Sequence, residues 1–252
     1  MSSSKYSARE ITLPQQPALI ELRNFACERD ERMLFNSLNA LFYAGQVVQI
    51  LGANGSGKTT LLRILAGVSS DYQGEILWQG QALATCAWEY ANETLYLGHL
   101  PGIKKSLTPM ENLRWYAAVQ SSARQSDVNQ VEKFTTGVND EVLLRSLAEV
   151  NLAGYEDTLC YQLSAGQLRR VALARLVFST AKLWILDEPF TALDKAGVVL
   201  LESRLASHAT AGGVVLVTSH QDISVPDLQQ LNLQHFTGSK LTPDCAETFA
   251  NG

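Results

Sequence analysis

Hydrophobic and polar positions change in short blocks along the chain, and their spacing predicts alternating strands and helices. Apolar runs typical of buried strands lie at Ala18–Phe25, Leu38–Tyr43, Gln46–Leu51, Thr94–Leu97, Leu183–Leu186 and Val214–Ser219. Apolar residues at helical spacing lie at Thr59–Ala66, Met110–Val119, Glu141–Val150, Ala165–Phe178 and Val198–His208. Because helices follow strands, the pattern predicts a largely parallel sheet covered on both faces.

The same pattern divides the chain into one domain and two tails. Residues 1–17 are polar, lack the apolar core of a signal peptide, and are predicted to be a flexible tail. Residues 18–235 carry the strand and helix patterns, interrupted by a polar connection at about 120–140 that joins two helices. Residues 236–252 are weakly patterned and are predicted to be a second tail.

Composition narrows the classes of partner. The chain has 252 residues, of which 46% are apolar, enough for a sizeable core. No apolar run approaches the roughly 18 to 20 residues of a membrane-spanning helix, so we expect any membrane association to use partners or the surface. The net charge of −5 argues against nucleic acid as the main partner. The four cysteines lie far apart without a CxxC pair, which favours reduced thiols over disulfides or zinc.

The segment between the predicted strand 46–51 and the predicted helix 59–66 fits the phosphate-binding pattern GxxxxGK[ST] in full. This P-loop consists of Gly52, Ala53, Asn54, Gly55, Ser56, Gly57, Lys58 and Thr59. Glycines let backbone N–H groups curl around phosphate oxygens, and the dipole of the following helix points at the anion. We expect Lys58 to reach the β- and γ-phosphates of ATP and Thr59 to ligate Mg²⁺, and we include Thr60 in the nucleotide site.

Two carboxylates follow the apolar strand 183–186. A parallel strand would place Asp187 at the edge of the sheet beside the P-loop, where it can hold Mg²⁺ through water. Glu188 would face the γ-phosphate and orient or deprotonate the attacking water. His220 follows the next apolar strand and could contact the γ-phosphate and the same water. The alternatives are a solvated strand end and a structural histidine.

A further segment offers a hydroxyl and a small residue where a helix is predicted to begin. It consists of Leu163, Ser164, Ala165, Gly166 and Gln167. A helix start of this kind binds anions. By itself the segment could also be an ordinary capped helix.

Together these motifs resemble those of ABC ATPases. The segment 163–167 resembles the ABC signature, residues 190–194 with Asp194 resemble a D-loop, and His220 resembles the switch histidine. The resemblance implies an α/β P-loop NTPase of ABC type: a mainly parallel sheet, an N-terminal antiparallel β part and an inserted helical subdomain at about 100–165. It also implies a head-to-tail homodimer that hydrolyses ATP with Mg²⁺, the signature of each subunit closing over the γ-phosphate bound by the other.

A narrower resemblance is to the ATP-binding subunits of cytochrome c maturation haem exporters. It is carried by residues 27–35, 98–104, 111–113, 152–157 and 184–190, and departs from the family in the 120–140 connection and both tails. It implies a peripheral ATPase on the cytoplasmic face of the bacterial inner membrane. The implied partners are the integral-membrane subunits of a haem-handling complex, with no direct haem site on this chain and no nucleic acid.

Two positions depart from the usual ABC pattern. Where the family carries an aromatic ring for adenine, this chain has Arg29, whose planar guanidinium could stack on the base or instead pair with Asp30 or Glu31. Where the family carries a glutamine that reaches Mg²⁺, this chain has Leu100, next to His99. We expect the loop Gly98–Lys105 to act chiefly as a mechanical contact with the membrane partner, Leu100 and Ile103 serving as apolar anchors. The alternative is that His99 replaces the glutamine.

Other functions remain to be weighed against this one. An ABC subunit for another solute would explain the motifs but not residues 27–32 and 98–104. A soluble ABC ATPase acting on DNA or ribosomes would favour two ATPase domains, a long coiled coil or a basic surface. A non-enzymatic nucleotide sensor would fit only if Lys58 or Glu188 were missing, and both are present.

Overall fold

The structure is a computed structural model that describes residues 17–124 and 138–236. All but the inner residue of each predicted tail (1–17 and 236–252), and most of the 120–140 connection, therefore lie outside the described residues. The strands are β1 Ile20–Arg29, β2 Arg32–Phe42, β3 Val47–Leu51, β4 Gln73–Trp78, β5 Gln81–Ala82, β6 Thr94–Leu97, β7 Leu183–Leu186, β8 Val214–Thr218 and β9 Gln229–Asn232. The helices are α1 Lys58–Leu65, α2 Ala87–Asn92, α3 Pro109–Arg124, α4 Asp140–Glu149, α5 Ala165–Leu173, α6 Arg175–Phe178 and α7 Lys195–Thr210.

The N-terminal part is an antiparallel sheet with strand order β2-β1-β4-β5. Its first two strands are longer than the predicted runs 18–25 and 38–43, since they continue to a tight turn between Arg29 and Arg32. Both turn residues, Asp30 and Glu31, have positive φ (52° and 60°), the geometry of a type I′ hairpin. Such turns usually contain Asn-Gly or Asp-Gly, so the charged sequence here concealed the hairpin.

The second sheet is parallel, with strand order β6-β7-β8-β3-β9. Alternate residues of its central strands pack into two different cores: Trp184 and Leu186 of β7 face one, and Leu183 and Ile185 face the other. The predicted sheet covered on both faces is thereby confirmed. Strand β9 lies at the edge, paired with β3, within a stretch whose sequence is too polar to indicate a strand.

The helical part differs from the prediction in the end of one helix and the division of another, since α3 continues to Arg124, into the predicted polar connection. The predicted helix Ala165–Phe178 is divided into α5 and α6 at Ala174, where the Val177 N–H bonds to the Ala174 carbonyl three residues back. This tighter spacing interrupts the α-helical ladder. Short elements β4, β5 and α2 were also not predicted. Within the described residues, no helix has the length and apolar character needed to cross a membrane.

Candidate nucleotide site

The P-loop lies between the end of β3 and the start of α1. Gly57, directly before α1, has φ 95°, and a Cβ there would lie 3.1 Å from the Leu34 Cβ, so both conformation and space require glycine. The Lys58 ammonium donates to the carbonyls of Gly52 (2.7 Å) and Ala53 (3.2 Å). The loop is therefore curled around its own lysine, which places the cation where phosphate oxygens are expected.

Asp187 lies at the carboxyl edge of the parallel sheet, as its position after β7 predicted, and is 1% exposed. Its Oδ1 accepts hydrogen bonds from the hydroxyls of Thr218 (2.7 Å) and Thr59 (3.3 Å). Its Oδ2 is buried and has no hydrogen-bond partner among the described residues. A buried carboxylate oxygen without a donor, next to a hydroxyl oxygen, is a donor set that fits hydrated Mg²⁺.

The backbone of Glu188 has a conformation that is uncommon for a residue with a side chain. Its φ is 51°, in the left-handed region, and its N–H donates to the Thr218 hydroxyl at 2.9 Å. Non-glycine residues with this conformation cluster at active sites, where the surrounding structure holds them. The carboxylate is largely buried, and its Oε1 lies 3.5 Å from Nε2 of the exposed His220.

One cavity of about 500 Å³ collects most of the predicted nucleotide and catalytic residues. Its lining includes the predicted Arg29, Asn54, Gly55, Gly57, Lys58, Thr59, Thr60, His99, Glu188 and His220, together with Leu34 and Thr191. Gly52, Ala53 and Ser56 belong to the P-loop but lie outside this lining. Arg29 also forms an ion pair with Asp30 at 3.6 Å, as one of the two alternatives expected, and its stacking on adenine stays a prediction.

The signature residues lie apart from this cavity. Ser164 caps α5: its hydroxyl accepts from the Gln167 N–H (3.2 Å), and the Gln167 side chain accepts from the Ser164 N–H (2.9 Å). Leu163 is buried, whereas Ser164 and Ala165 are exposed. Gly166 is close to the D-loop, since a Cβ there would lie 2.7 Å from the Ala192 carbonyl oxygen.

Asp194 of the predicted D-loop caps α7 and pairs with the same signature helix. Its Oδ1 accepts from the Gly197 N–H (2.9 Å) and from the Arg170 guanidinium (2.6 Å). The Arg170 hydrogen bond, followed by that of Gly197, holds the pKa of Asp194 below its ordinary value. The D-loop is thus attached to α5 within a single chain.

The loop Gly98–Lys105 lies beside a second cavity of about 380 Å³. His99 lines both cavities, and Leu100 is 80% exposed. Ile103 is partly buried against the core and Lys104 lies 4.0 Å over the Trp115 ring, and the role of Leu100 and Ile103 as apolar anchors for a membrane partner stays a prediction. Leu100 is the exposed apolar side chain of this loop.

Sequence reasoning missed two residues of this site. Thr218 is fully buried and bonds both Asp187 and the Glu188 backbone, and Arg169 is buried against the same peptide. The signal for Thr218 was a polar residue near the end of a predicted apolar strand, next to the predicted His220. Arg169 had no such signal, because its partners are backbone carbonyls.

Comparisons with known proteins agree with this geometry. A model of the ABC transporter family matches residues 35–191. The chain is 49% identical over 219 residues to the cytochrome c biogenesis ATP-binding export protein CcmA of Saccharophagus degradans, covering 85% of this chain and 93% of that protein. It is 48% identical over 209 residues to CcmA of Escherichia coli K12, covering 83% and 92%.

A solved structure supports the fold. The putative ABC transporter ATP-binding protein from Pyrococcus furiosus superimposes with a TM-score of 0.71 and 22% identity, covering 87% of this chain and 99% of that chain. At this identity the likeness concerns the fold alone, and it confirms the predicted α/β P-loop architecture. With its family match and its relatives of nearly half identical sequence, the chain belongs to the ATP-binding proteins of the ABC transporter family, in the group of cytochrome c biogenesis ATP-binding export proteins.

Proposed function

We propose that this chain is the ATP-hydrolysing subunit of a membrane complex in cytochrome c biogenesis, of the haem-exporting class. The observation that carries the hydrolytic part is the group around Asp187: its carboxylate bonds Thr59 of the P-loop, and Thr218 links it to the Glu188 backbone. The biogenesis part rests on the identity to proteins with that name over most of both chains.

The residues have separate tasks in hydrolysis. The P-loop N–H groups and Lys58 bind the phosphates, and Thr59 and Asp187 would hold Mg²⁺, directly and through water respectively. When bound, Mg²⁺ neutralises charge on the phosphate oxygens. The Glu188 carboxylate accepts a proton from, or orients, the attacking water. His220, 3.5 Å from that carboxylate, is placed to contact the γ-phosphate and the same water.

The chain carries half of each composite ATP site. The exposed amino end of α5, with Ser164 and Gly166, lies outside the lining of the chain's own nucleotide cavity. A head-to-tail homodimer would bring this anion-binding end over the γ-phosphate held by the partner. Asp194, fixed to Arg170, would join the two halves at the D-loop.

The membrane partners would contact the helical subdomain at about 100–165 of an ATPase domain spanning 18–235. Leu100, exposed on a loop that begins beside the nucleotide cavity, is the proposed contact, and His99 borders both cavities. We place the protein peripherally on the cytoplasmic face of the inner membrane, with the integral-membrane subunits of a haem-handling complex as partners. Its own task is to supply energy, without a direct haem site and without nucleic acid.

The test is complementation of a bacterium whose own relative has been deleted. We expect this chain to restore covalent haem in c-type cytochromes, measured by in-gel haem peroxidase staining, and the Glu188→Gln variant to restore none at equal expression. Restored cytochrome c with the Glu188→Gln variant would contradict the need for hydrolysis. No restoration by the parent chain, despite ATPase activity in detergent extract, would favour export of another solute.

A further inference from the structure

Arg169 is a buried cation whose partners are all carbonyl groups of the main chain. It is 4% exposed, and its guanidinium donates to Asp187 O (3.0 Å), Glu188 O (2.7 Å), Pro189 O (3.2 Å), Gly98 O (2.9 Å) and His99 O (3.3 Å). One side chain of α5 thus binds two loops that follow neighbouring strands, β7 and β6.

Packing alone does not account for this arrangement. Taking a guanidinium out of water is unfavourable unless each donor is satisfied, and an apolar residue would fill the same space without that cost. Burial lowers the pKa of Arg169, while the nearby charges of Asp187 and Glu188 favour its protonated form. A guanidinium keeps its proton in proteins, and its planar fork can bind several carbonyls in fixed directions.

The peptide that Arg169 binds has a conformation that needs support. Glu188 has φ 51°, which is unfavourable for a residue with a side chain. Its N–H is held by the Thr218 hydroxyl, and its carbonyl is held by Arg169. The backbone on both sides of the Glu188 side chain is thus held, which fixes the direction in which this side chain leaves the main chain.

The second loop is fixed along its length. Its start is bound by Arg169, the Gly102 carbonyl accepts from the Tyr116 hydroxyl (2.6 Å), and the Asn112 side chain bonds both the N–H and the carbonyl of Lys104 (2.9 and 3.1 Å). Because these bonds hold the loop at three points, we expect a displacement to move the loop as a unit. Such a movement would reach Arg169, which bonds the start of the loop, and through Arg169 it would reach the carbonyl of Glu188.

We infer that Arg169 is a positioning residue of the ATPase reaction: it holds the Glu188 carboxylate in the nucleotide cavity and fastens it to the loop Gly98–Lys105. This inference rests on the proposed function, in which Glu188 acts on the attacking water. A misplacement of about 1 Å at a reacting group can cost on the order of 100-fold in rate. Arg169 touches no substrate, so its effect should fall on turnover and not on nucleotide affinity.

The test compares Arg169→Gln and Arg169→Lys with Arg145→Gln. Arg145 is an exposed arginine of α4 whose one ion-pair partner among the described residues is Glu149. We expect Arg169→Gln to lower kcat by about 10- to 100-fold while KM for ATP changes less than about twofold. Arg169→Lys, which keeps the cation but has fewer donors, should recover part of kcat, and Arg145→Gln should match the parent. An unchanged kcat, or a KM that rises as kcat falls, would overturn the inference.

A double-mutant cycle separates positioning from general damage. Residual hydrolysis in the Glu188→Gln background is measured in single turnovers with radiolabelled ATP. If Arg169 acts through Glu188, adding Arg169→Gln should cost little further rate there, whereas an equal fold-loss in both backgrounds would contradict the proposal. If Arg169→Gln does not fold, Arg169→Lys takes its place in the cycle. Full activity of Glu188→Gln alone would instead refute the proposed function.

Discussion

The carboxyl edge of the parallel sheet and the amino end of α5 both present groups for phosphate, yet they are constructed differently. At the sheet edge, Asp187 and Thr218 are buried and hydrogen-bonded to each other. Oδ2 of Asp187 is also buried but has no hydrogen-bond partner among the described residues. At the helix end, Ser164 is exposed, and among the described residues its hydroxyl bonds only its capping partner Gln167. The first region is organised within one chain, whereas the second is shaped but uncovered, as expected of a surface completed by a second subunit.

Gly166, at the amino end of α5, packs against the D-loop, and this contact decides which substitution can test the helix end. A Cβ at Gly166 would lie 2.7 Å from the Ala192 carbonyl, so any side chain there disturbs the D-loop of the same chain. Ser164 is exposed, and its hydrogen bonds among the described residues are the cap with Gln167 and the helical bond from the Leu168 N–H to its carbonyl. Substitution of Ser164 therefore probes the surface facing the partner subunit more cleanly than substitution of Gly166.

The largest expected effect is at the sheet edge. Glu188→Gln should retain ATP binding but lower hydrolysis by about 100- to 10,000-fold, because the amide cannot take a proton from water. It should also accumulate an ATP-bound dimer, measured by size-exclusion chromatography with bound nucleotide. Lys58→Ala is the matched comparison, since it should lose nucleotide binding as well. Hydrolysis at the parent rate by Glu188→Gln would show that another group acts as the base.

A comparable loss is expected from the helix end, but without loss of nucleotide binding. Ser164→Arg should leave binding to the monomer nearly unchanged and abolish hydrolysis, because the bulk blocks closure over the partner's γ-phosphate. Mixed dimers locate the lesion: Lys58→Ala on one chain and Ser164→Arg on the other should damage one composite site and spare the second. Both lesions on one chain should damage both sites, and the reverse pattern of activity would refute the head-to-tail arrangement.

The buried threonine predicts a stability effect. Thr218→Val removes the bonds to Asp187 Oδ1 and to the Glu188 N–H, and should lower the free energy of unfolding by about 1–3 kcal/mol. Urea unfolding measures this, with Thr218→Ser expected to recover most of the loss. Thr210→Val, at the end of α7, is the control, because its hydroxyl bonds only the Ala206 carbonyl within the helix. If both valine variants lower the free energy of unfolding equally, the bonds of Thr218 to Asp187 and Glu188 add no more stability than an ordinary hydroxyl bond within a helix.

The exposed loop should affect assembly more than chemistry. Leu100→Asp is expected to reduce recovery of membrane partners on the order of tenfold, as for a central apolar contact, with ATP half-saturation unchanged. Val199→Asp is the matched control, since Val199 is also an exposed apolar residue but lies on α7. If His99→Ala removes Mg²⁺-dependent hydrolysis while partners still co-purify, the histidine is catalytic and the mechanical interpretation of the loop fails.

The smallest effect is expected at the mouth of the cavity. Arg29→Ala should raise ATP half-saturation about two- to fivefold, the effect of losing an exposed stacking contact of about 0.5–1 kcal/mol. Arg29→Lys should recover little, because an ammonium has no planar face. Asp30→Asn tests the ion pair at 3.6 Å, and an increase equal to that of Arg29→Ala would assign the effect to that pair.

The sequence by itself determined the local chemistry and the order of the main elements. A P-loop between a strand and a helix, and two carboxylates after an apolar strand, require only neighbouring residues and known periodicity, and both were predicted. The sequence could not reveal the hairpin at Asp30–Glu31 or the edge strand β9. In both cases pairing with a neighbouring strand overrides local propensity. The hairpin turn at Asp30–Glu31 lacks glycine, and the residues of β9 are mostly polar.

Only the tertiary structure decided which residues support the catalytic groups. Thr218 meets Asp187 because β7 and β8 are adjacent and parallel, which brings residues thirty-one positions apart to one sheet edge. Arg169 binds backbone carbonyls, which every residue possesses, so no pattern of side chains could have indicated its partners. Motifs record groups that touch the ligand, whereas the hydrogen bonds that aim those groups depend on packing between distant segments and exist only once the chain has folded.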